Sequence, residues 1–469
     1  MPMRKGRIMA AMLPLLASGC SMAPSYTAPR VAPAPAAFKE TGMWTPAAPA
    51  DAMPRGAWWR ILPDPVLDGL EQRIEKDSPR LAVALARYDQ ARALTRQARA
   101  DLLPRVDATG RAVRARAMSP VTGGYYEYND YAVGGSAAYE VDLWGRIRNQ
   151  VSATQAEAQA SAADLAGARL SLQAELADDY IQLRKLDAQL ELLSQTKTAY
   201  AAAVDLTTKR FAGGAANEAD VTRARTQFKS VQSEMAQRKA DRALLEHAIA
   251  TLVGEQASGF AIAPVAVMLA PPQVPVSAPA MLLQRRPDVA AAERRVAAAN
   301  ARIGVARAAF FPQITLGASG GFETTAASLL TAGSSVWALG PALAAMPIFD
   351  GGRRRAGVAY ARAQFAEASA NYRQTTLDAF REVEDQLALV NRLAEASAQQ
   401  SEAVVAAART NQLANIQYRE GAVDYLQVVT AQAAELQARE DQLALESRRL
   451  IASIGLIRAM GGDWSNRGS

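Results

Sequence analysis

The chain has 469 residues, 50% of them hydrophobic and 21% charged, which is ample material for several packed layers. Lys and Arg number 52 against 46 Asp and Glu, a formal charge of +6; no basic cluster with interleaved aromatics stands out, which argues against a nucleic-acid partner. A single cysteine, Cys20, excludes a disulfide framework and a cysteine metal cluster within the chain.

Residues 1–19 begin with Arg4, Lys5 and Arg7, continue through an apolar run from Ile8 to Leu16, and end in small residues. That order is the order of a secretory signal. The apolar run falls well short of the roughly 20 residues a helix needs to cross a bilayer. Leu16-Ala17-Ser18-Gly19-Cys20 resembles the bacterial lipobox, which implies cleavage before Cys20 and a lipid on its thiol. Ser21 rather than an acid follows, which in such lipoproteins implies delivery to the outer membrane. Residues 20–54 are rich in Pro and Ala and read as an extended tether.

The remainder repeats. Pro79 and Pro287 each open a helical stretch and Pro104 and Pro312 each close it, both pairs 208 positions apart. Gly145-Arg146 matches Gly352-Arg353 at an offset of 207, as Gly214-Ala215 matches Gly421-Ala422 and Gly254 matches Gly461. One register held over so long a span marks a tandem duplication: repeat 1 over residues 55–262, a linker over 263–284, and repeat 2 over 285–469.

Each repeat runs in the same order. A helix over about 79–103, or 287–310, leads into segments of period-two alternation, which predict strands at about 105–117, 131–142, 312–323 and 335–346. Ile314, Leu316 and Ala318 alternate with Thr315, Gly317 and Ser319. In the first segment Arg114 and Arg116 slip to the face opposite Arg111, which predicts a bulge. Each segment is close to the ten or so residues that a tilted membrane strand needs. A half-buried soluble sheet would look similar, but the lipobox and the two hairpins without an intervening helix favour the membrane. Long proline-free stretches, 146–211 and 353–418, predict helices that at 1.5 Å per residue could reach about 100 Å. Leu165, Leu172, Leu186, Leu193 and Tyr200 fall on a seven-residue step. Positions 221 to 252 and 426 to 457 follow a three-four step, with Arg238, Arg242 and Glu440 among the exceptions. This is coiled-coil spacing. The fold class is therefore a mixed α/β membrane protein.

No catalytic constellation is present. His247 is the sole histidine and lies in a helical run without metal-ligand spacing. Gly351-Gly352-Arg353 lacks the Lys-Ser/Thr of a phosphate loop and reads as a strand-to-helix turn. Neither an enzymatic activity nor a cofactor is expected.

Residues 285–316, RRPDVAAAERRVAAANARIGVARAAFFPQITL, resemble the signature of the outer membrane factors of tripartite efflux systems, the nodulation-protein-T-like lipoproteins related to TolC. WWRILPDPVLDGL (58–70), VWALGPALAAMPIFDGGRRRA (336–356) and YREGAVDYLQVVTAQ (418–432) agree. The resemblance implies a homotrimer, a twelve-stranded barrel in the outer membrane of a Gram-negative bacterium and a periplasmic α-helical barrel. It also implies docking of a periplasmic adaptor protein, and through it an inner-membrane pump, at the helical tips marked by Gly214 and Gly421. Leu426 matches a position that forms an apolar ring at the closed end of related channels. Its place in the coiled-coil step leaves a core role equally open. Thr430 stands where relatives often carry Asp, and Asp424 lies near the tip and could line its mouth, as could Asp220. The implied function is a passive conduit for drugs or other small toxic molecules. The exit duct of a type I protein secretion system shares the fold and is the alternative; a purely structural coiled-coil lipoprotein fits the strands poorly.

Overall fold

A computed structural model describes residues 21–29, 38–40, 57–272, 286–327 and 334–462. Cys20 and the signal-like residues 1–19 lie outside the described residues. Seven helices and four strands alternate along the described chain: α1 (Pro65–Asp77), α2 (Pro79–Ala100), β1 (Arg105–Met118), β2 (Tyr125–Glu140), α3 (Arg146–Ala212), α4 (Glu218–Leu252), α5 (Pro287–Ala308), β3 (Gln313–Thr324), β4 (Ser334–Ala345), α6 (Arg353–Arg419) and α7 (Tyr425–Ala459). The duplication is visible in the lengths. Helices α2 and α5 have 22 residues each, α3 and α6 have 67 each, and α4 and α7 have 35 each.

The chain packs as two units, one formed by Arg87–Ala162 and Ala291–Arg373 with the N-terminal segment, the other by Val31–Ala86, Ala163–Ala290 and Gln374–Ser469. The first unit holds the sheet, antiparallel throughout, in the order β1-β2-β3-β4. Each repeat supplies one hairpin, and β2 pairs with β3 to join them. At that seam Gly134 faces Gly321 and Gly135 faces Gly320. A Cβ on Gly321 would stand 2.4 Å from the Val133 carbonyl oxygen, so the two backbones approach where no side chain fits.

The expected bulge in β1 is not there. The β1–β2 ladder runs without a break from Arg105↔Ala138 to Met118↔Tyr125. The face that starts with Val106 and Ala108 simply turns polar at Arg114, whose guanidinium pairs with Glu127 across the hairpin at 3.0 Å. Arg116 stacks on Tyr125. Cross-strand partners thus satisfy the charges in register. The irregularity falls between β3 and β4 instead, where the register shifts between Leu316 and Ala318. Gly340 and Pro341 lie opposite, and proline has no N–H for the ladder. Strand β2 also begins six residues before the alternation suggested, at Tyr125.

The second unit holds the main core. Leu67, Ile74, Leu172, Leu176, Leu183, Ile249, Val383, Leu387, Leu450 and Ile454 are buried together from α1, α3, α4, α6 and α7. Helix α1 starts on Asp64, whose carboxylate accepts from the N–H groups of Val66 and Leu67 and from the Tyr180 hydroxyl at 2.6 Å. Glu71 lies in this core without a hydrogen bond to either carboxylate oxygen among the described residues. Burial, with Glu75 and Asp68 adding to it, pushes its pKa up to about 9, so it is neutral at pH 7.

The polar exception at Arg242 in the α4 seam has a physical cause. Its Nε donates to Asp187 at 2.6 Å, its Nη2 donates to the Ile262 carbonyl at 2.7 Å, and Glu246 lies at 3.3 Å. Arg184 donates to the other Asp187 oxygen and to the Ala263 carbonyl, and the Val265 N–H donates to Asp187. Two arginines and one carboxylate therefore hold the chain that leaves repeat 1. Asp187, with a side chain only 1% exposed, pairs with both, and Glu246 gives Arg242 a second carboxylate. Asp187→Ala would leave two buried cations without it and should cost about 3–5 kcal/mol. Thermal unfolding followed by far-UV circular dichroism checks this; a variant that melts with the unsubstituted protein would show that the cluster carries no stability.

Candidate functional site

The turn between α3 and α4 and its counterpart between α6 and α7 are built alike. Gly214 (φ 73°) and Gly421 (φ 81°) are left-handed. The Gly214 N–H donates to Phe211 O and the Ala215 N–H to Arg210 O, while the Gly421 N–H donates to Tyr418 O and the Ala422 N–H to Gln417 O. These are the paired 5→2 and 6→1 bonds that end a helix on a left-handed glycine. The glycine of each repeat follows from this geometry. Open space surrounds both glycines, so a side chain here meets the backbone cost of the left-handed region, roughly 1–2 kcal/mol, and no clash.

Asn217 then caps α4 and Asp424 caps α7, each side chain accepting from an N–H three residues on. Asp424, expected to line the mouth, is exposed and acts first as this helix cap. Asp220, the other expected mouth residue, is buried and accepts from Arg223 at 3.3 Å.

Tyr425, Val428 and Ala431 are buried with Ala224, Ala414 and Tyr418. The seam at the start of α7 thus lies one residue before the expected 426 and 429, and two before 433. Leu426 is 46% exposed, outside this cluster. Thr430 is exposed as well, with its hydroxyl donating to the Leu426 carbonyl at 2.9 Å. Where repeat 2 has Leu426, repeat 1 has Ala219 at the same offset.

Arg210 was not legible as part of the tip. Its Nη1 and Nη2 donate to the carbonyls of Tyr418 and Arg419, at 3.0 and 2.9 Å. Its guanidinium lies 4.6 Å from the Tyr418 ring centroid. A cation from the first repeat thereby caps the C-terminal end of α6, the end the helix dipole makes negative. Only an asymmetry hinted at it, since Arg210 corresponds to Gln417.

Residues 21–29 lie in the first unit. Residues 21–29 carry no regular secondary structure, yet they are docked along α5. The Ser21 hydroxyl donates to Asn149 at 3.0 Å, Arg307 donates to Met22 O, Asn300 donates to Pro24 O, and the Tyr26 hydroxyl bonds the Glu293 carboxylate. A Cβ on Gly304 would lie 2.7 Å from Ala23, so a glycine makes room for the strand. This part of the expected tether is held, and it brings residue 21 beside the start of α3. His247 sits on the exposed side of α4, and among the described residues there is no group of His, Cys, Asp and Glu fit to hold a metal.

The sequence profile of the outer membrane efflux protein family matches residues 70–255 and 278–462. The chain belongs to that family. It is 32% identical to the antibiotic efflux pump outer membrane protein ArpC of Pseudomonas putida, over 98% of this chain and 96% of that one. It is 29% identical to the cation efflux system protein CusC of Escherichia coli O6:H1, over 96% and 97%. Among solved structures it is similar to the outer-membrane channel OprN, with a TM-score of 0.87, 30% identity and coverage of 94% of this chain and 99% of that one. The MtrE outer membrane channel of Neisseria gonorrhoeae gives a TM-score of 0.83 at 26% identity, over 95% and 98%. The fold is that of TolC-like channels, and the protein is an outer-membrane component of an efflux system.

Proposed function

We propose that three copies of this chain pool their sheets into a twelve-stranded barrel and act as the passive exit duct of a tripartite efflux pump. The observation that carries this is the four-stranded sheet whose outer strands, β1 and β4, each have one edge without a strand partner among the described residues. Four strands cannot close, and membrane barrels have eight or more. The duct supplies no energy. An inner-membrane pump of the resistance-nodulation-division type drives transport through a periplasmic adaptor, and the cargo is drugs or other small toxic molecules. Relatives named for antibiotic, solvent and cation efflux support that class.

Cys20 carries the lipid anchor in this reading. The docked Ser21 supports it, because it holds the adjoining residue at the sheet-bearing unit. Cys20→Ala should abolish incorporation of radiolabelled palmitate while leaving the channel able to insert behind another signal peptide. An unsubstituted protein that takes up no palmitate would exclude the anchor.

The tips at Gly214 and Gly421 dock the adaptor. Gly421→Ala and Gly421→Trp meet the same left-handed backbone cost, so the difference between them isolates the surface. Cross-linking to the adaptor should persist in the first and fall severalfold in the second. Equal cross-linking in both would move the dock elsewhere.

Leu426 closes the duct. Three symmetry-related leucines near an axis would form an apolar constriction that expels water, with Thr430 a neutral ring one turn on and Asp424 at the mouth. The exposure of Leu426, beside the buried Tyr425 and Val428, supports this over a core role. Leu426→Ser should raise single-channel conductance in planar bilayers severalfold and admit vancomycin into intact cells. A well-folded variant with unchanged conductance would rule the gate out.

A further inference from the structure

Two junctions in the first unit carry the chain from strand to long helix, β2 into α3 and β4 into α6. They share a frame. Asp142 accepts from the N–H groups of Ile147 and Arg148 and from the Arg148 side chain. Asp350 accepts from the N–H groups of Gly352 and Arg354 and from the Arg354 side chain.

They differ in what surrounds that frame. At the first junction Arg146 is held by Glu140 through two bonds of 2.8 and 2.7 Å, so both arginines opening α3 have an acid. At the second, α6 opens on Arg353, Arg354 and Arg355, and like α3 it has no acid in its first turn. Arg354 is paired with Asp350. Arg353 and Arg355 are exposed and make no ion pair among the described residues. In place of Glu140, 208 positions on, stands Ile348, followed by Phe349. These two side chains are 93% and 90% exposed. The second repeat has an apolar pair where the first has an acid, and two cations without partners beside it. Placed in the first turn of a helix, those cations also oppose its dipole. Among the described residues no acid pairs with Arg353 or Arg355.

We propose that the β4–α6 junction docks an anionic phospholipid of the membrane leaflet on the helical side of the sheet. Arg353 and Arg355 hold the headgroup phosphate, and Ile348 and Phe349 sit among the acyl chains. The proposal rests on the reading of β1–β4 as membrane strands. The pair lies three residues beyond the end of β4, at the level where a spanning strand leaves the hydrocarbon, and apolar and aromatic side chains collect there. Cations next to such a surface are drawn to anionic lipid. The docked segment agrees independently. Ser21 is bonded to Asn149 in the first turn of α3, so Cys20 would present its lipid at the matching junction, on the same side of the sheet.

The test uses the full-length protein in phosphatidylcholine nanodiscs doped with phosphatidylglycerol, with retained lipids counted by native mass spectrometry. The unsubstituted protein should retain phosphatidylglycerol in preference to phosphatidylcholine. Arg353→Gln with Arg355→Gln should lower that preference roughly tenfold or more, and Arg353→Lys with Arg355→Lys should keep it. No preference in the unsubstituted protein, or an undiminished one in the glutamine variant, would overturn the proposal. So would a Phe349→Ser protein that loses its heat-modifiable oligomer on a gel while the unsubstituted protein shows no lipid preference, because the face would then be a contact between copies. Failure of the unsubstituted protein to float with vesicles would instead sink the membrane reading, and the proposal with it.

Discussion

A sheet of four strands leaves the backbone of its two outer strands without partners, and lipid cannot supply them. Each unbonded N–H or C=O in hydrocarbon costs several kcal/mol, and β1 and β4 each carry a dozen or so residues. No side-chain packing elsewhere could offset that for a single copy. Much else in the first unit follows from this constraint. The hairpins of the two repeats must pair with each other, β2 against β3, and the glycine seam at Gly134, Gly135, Gly320 and Gly321 lets those backbones close. The apolar side chains exposed together on one face, such as Val106, Phe322 and Leu339, then make sense as a surface for lipid rather than as a misplaced core.

The duplication supplies the frame, and the departures from it supply the chemistry. Features kept at matching places answer needs common to both copies. The left-handed Gly214 and Gly421 end a long helix, Asn217 and Asp424 start the next, and Asp142 and Asp350 open α3 and α6. None of these distinguishes one repeat from the other. The differences do: Leu426 against Ala219, Arg210 against Gln417, Ile348 against Glu140. Only such differences can make the contribution of one repeat to the assembled channel unlike that of the other.

The order of elements was legible because prolines and glycines mark strand-to-helix and helix-to-helix turns, and they recur in register. Finer placement was less so, for identifiable reasons. In α7 the buried positions begin at Tyr425 and Val428, not Leu426 and Val429, because an Ala- and Val-rich stretch fits neighbouring three-four steps nearly equally. In β1 the shift of polarity at Arg114 looked like a bulge. Pairing with Glu127 makes it unnecessary, and that pairing is tertiary. Residues 21–29 carry no regular secondary structure, so nothing local separates a free tether from one laid along α5. Arg210 was marked only by its difference from Gln417, since its partners are backbone carbonyls more than 200 positions away.

That near-degeneracy of registers gives the buried ions of the second unit their role. Alanine-rich helices can slide past one another at small cost, because one small side chain replaces another in the seam. A polar pair resists sliding, as buried polar groups do in coiled coils. Arg242 on α4 meets Asp187 on α3 at 2.6 Å, within a ring closed by Arg184 and the carbonyls of Ile262 and Ala263. A slip of even one residue, about 1.5 Å along the axis with a turn of roughly 100°, would carry the guanidinium away from Asp187 and break the ion pair that joins the two helices. The same carboxylate takes the N–H of Val265, so the register of α3 against α4 and the exit of the chain from repeat 1 are fixed by one side chain.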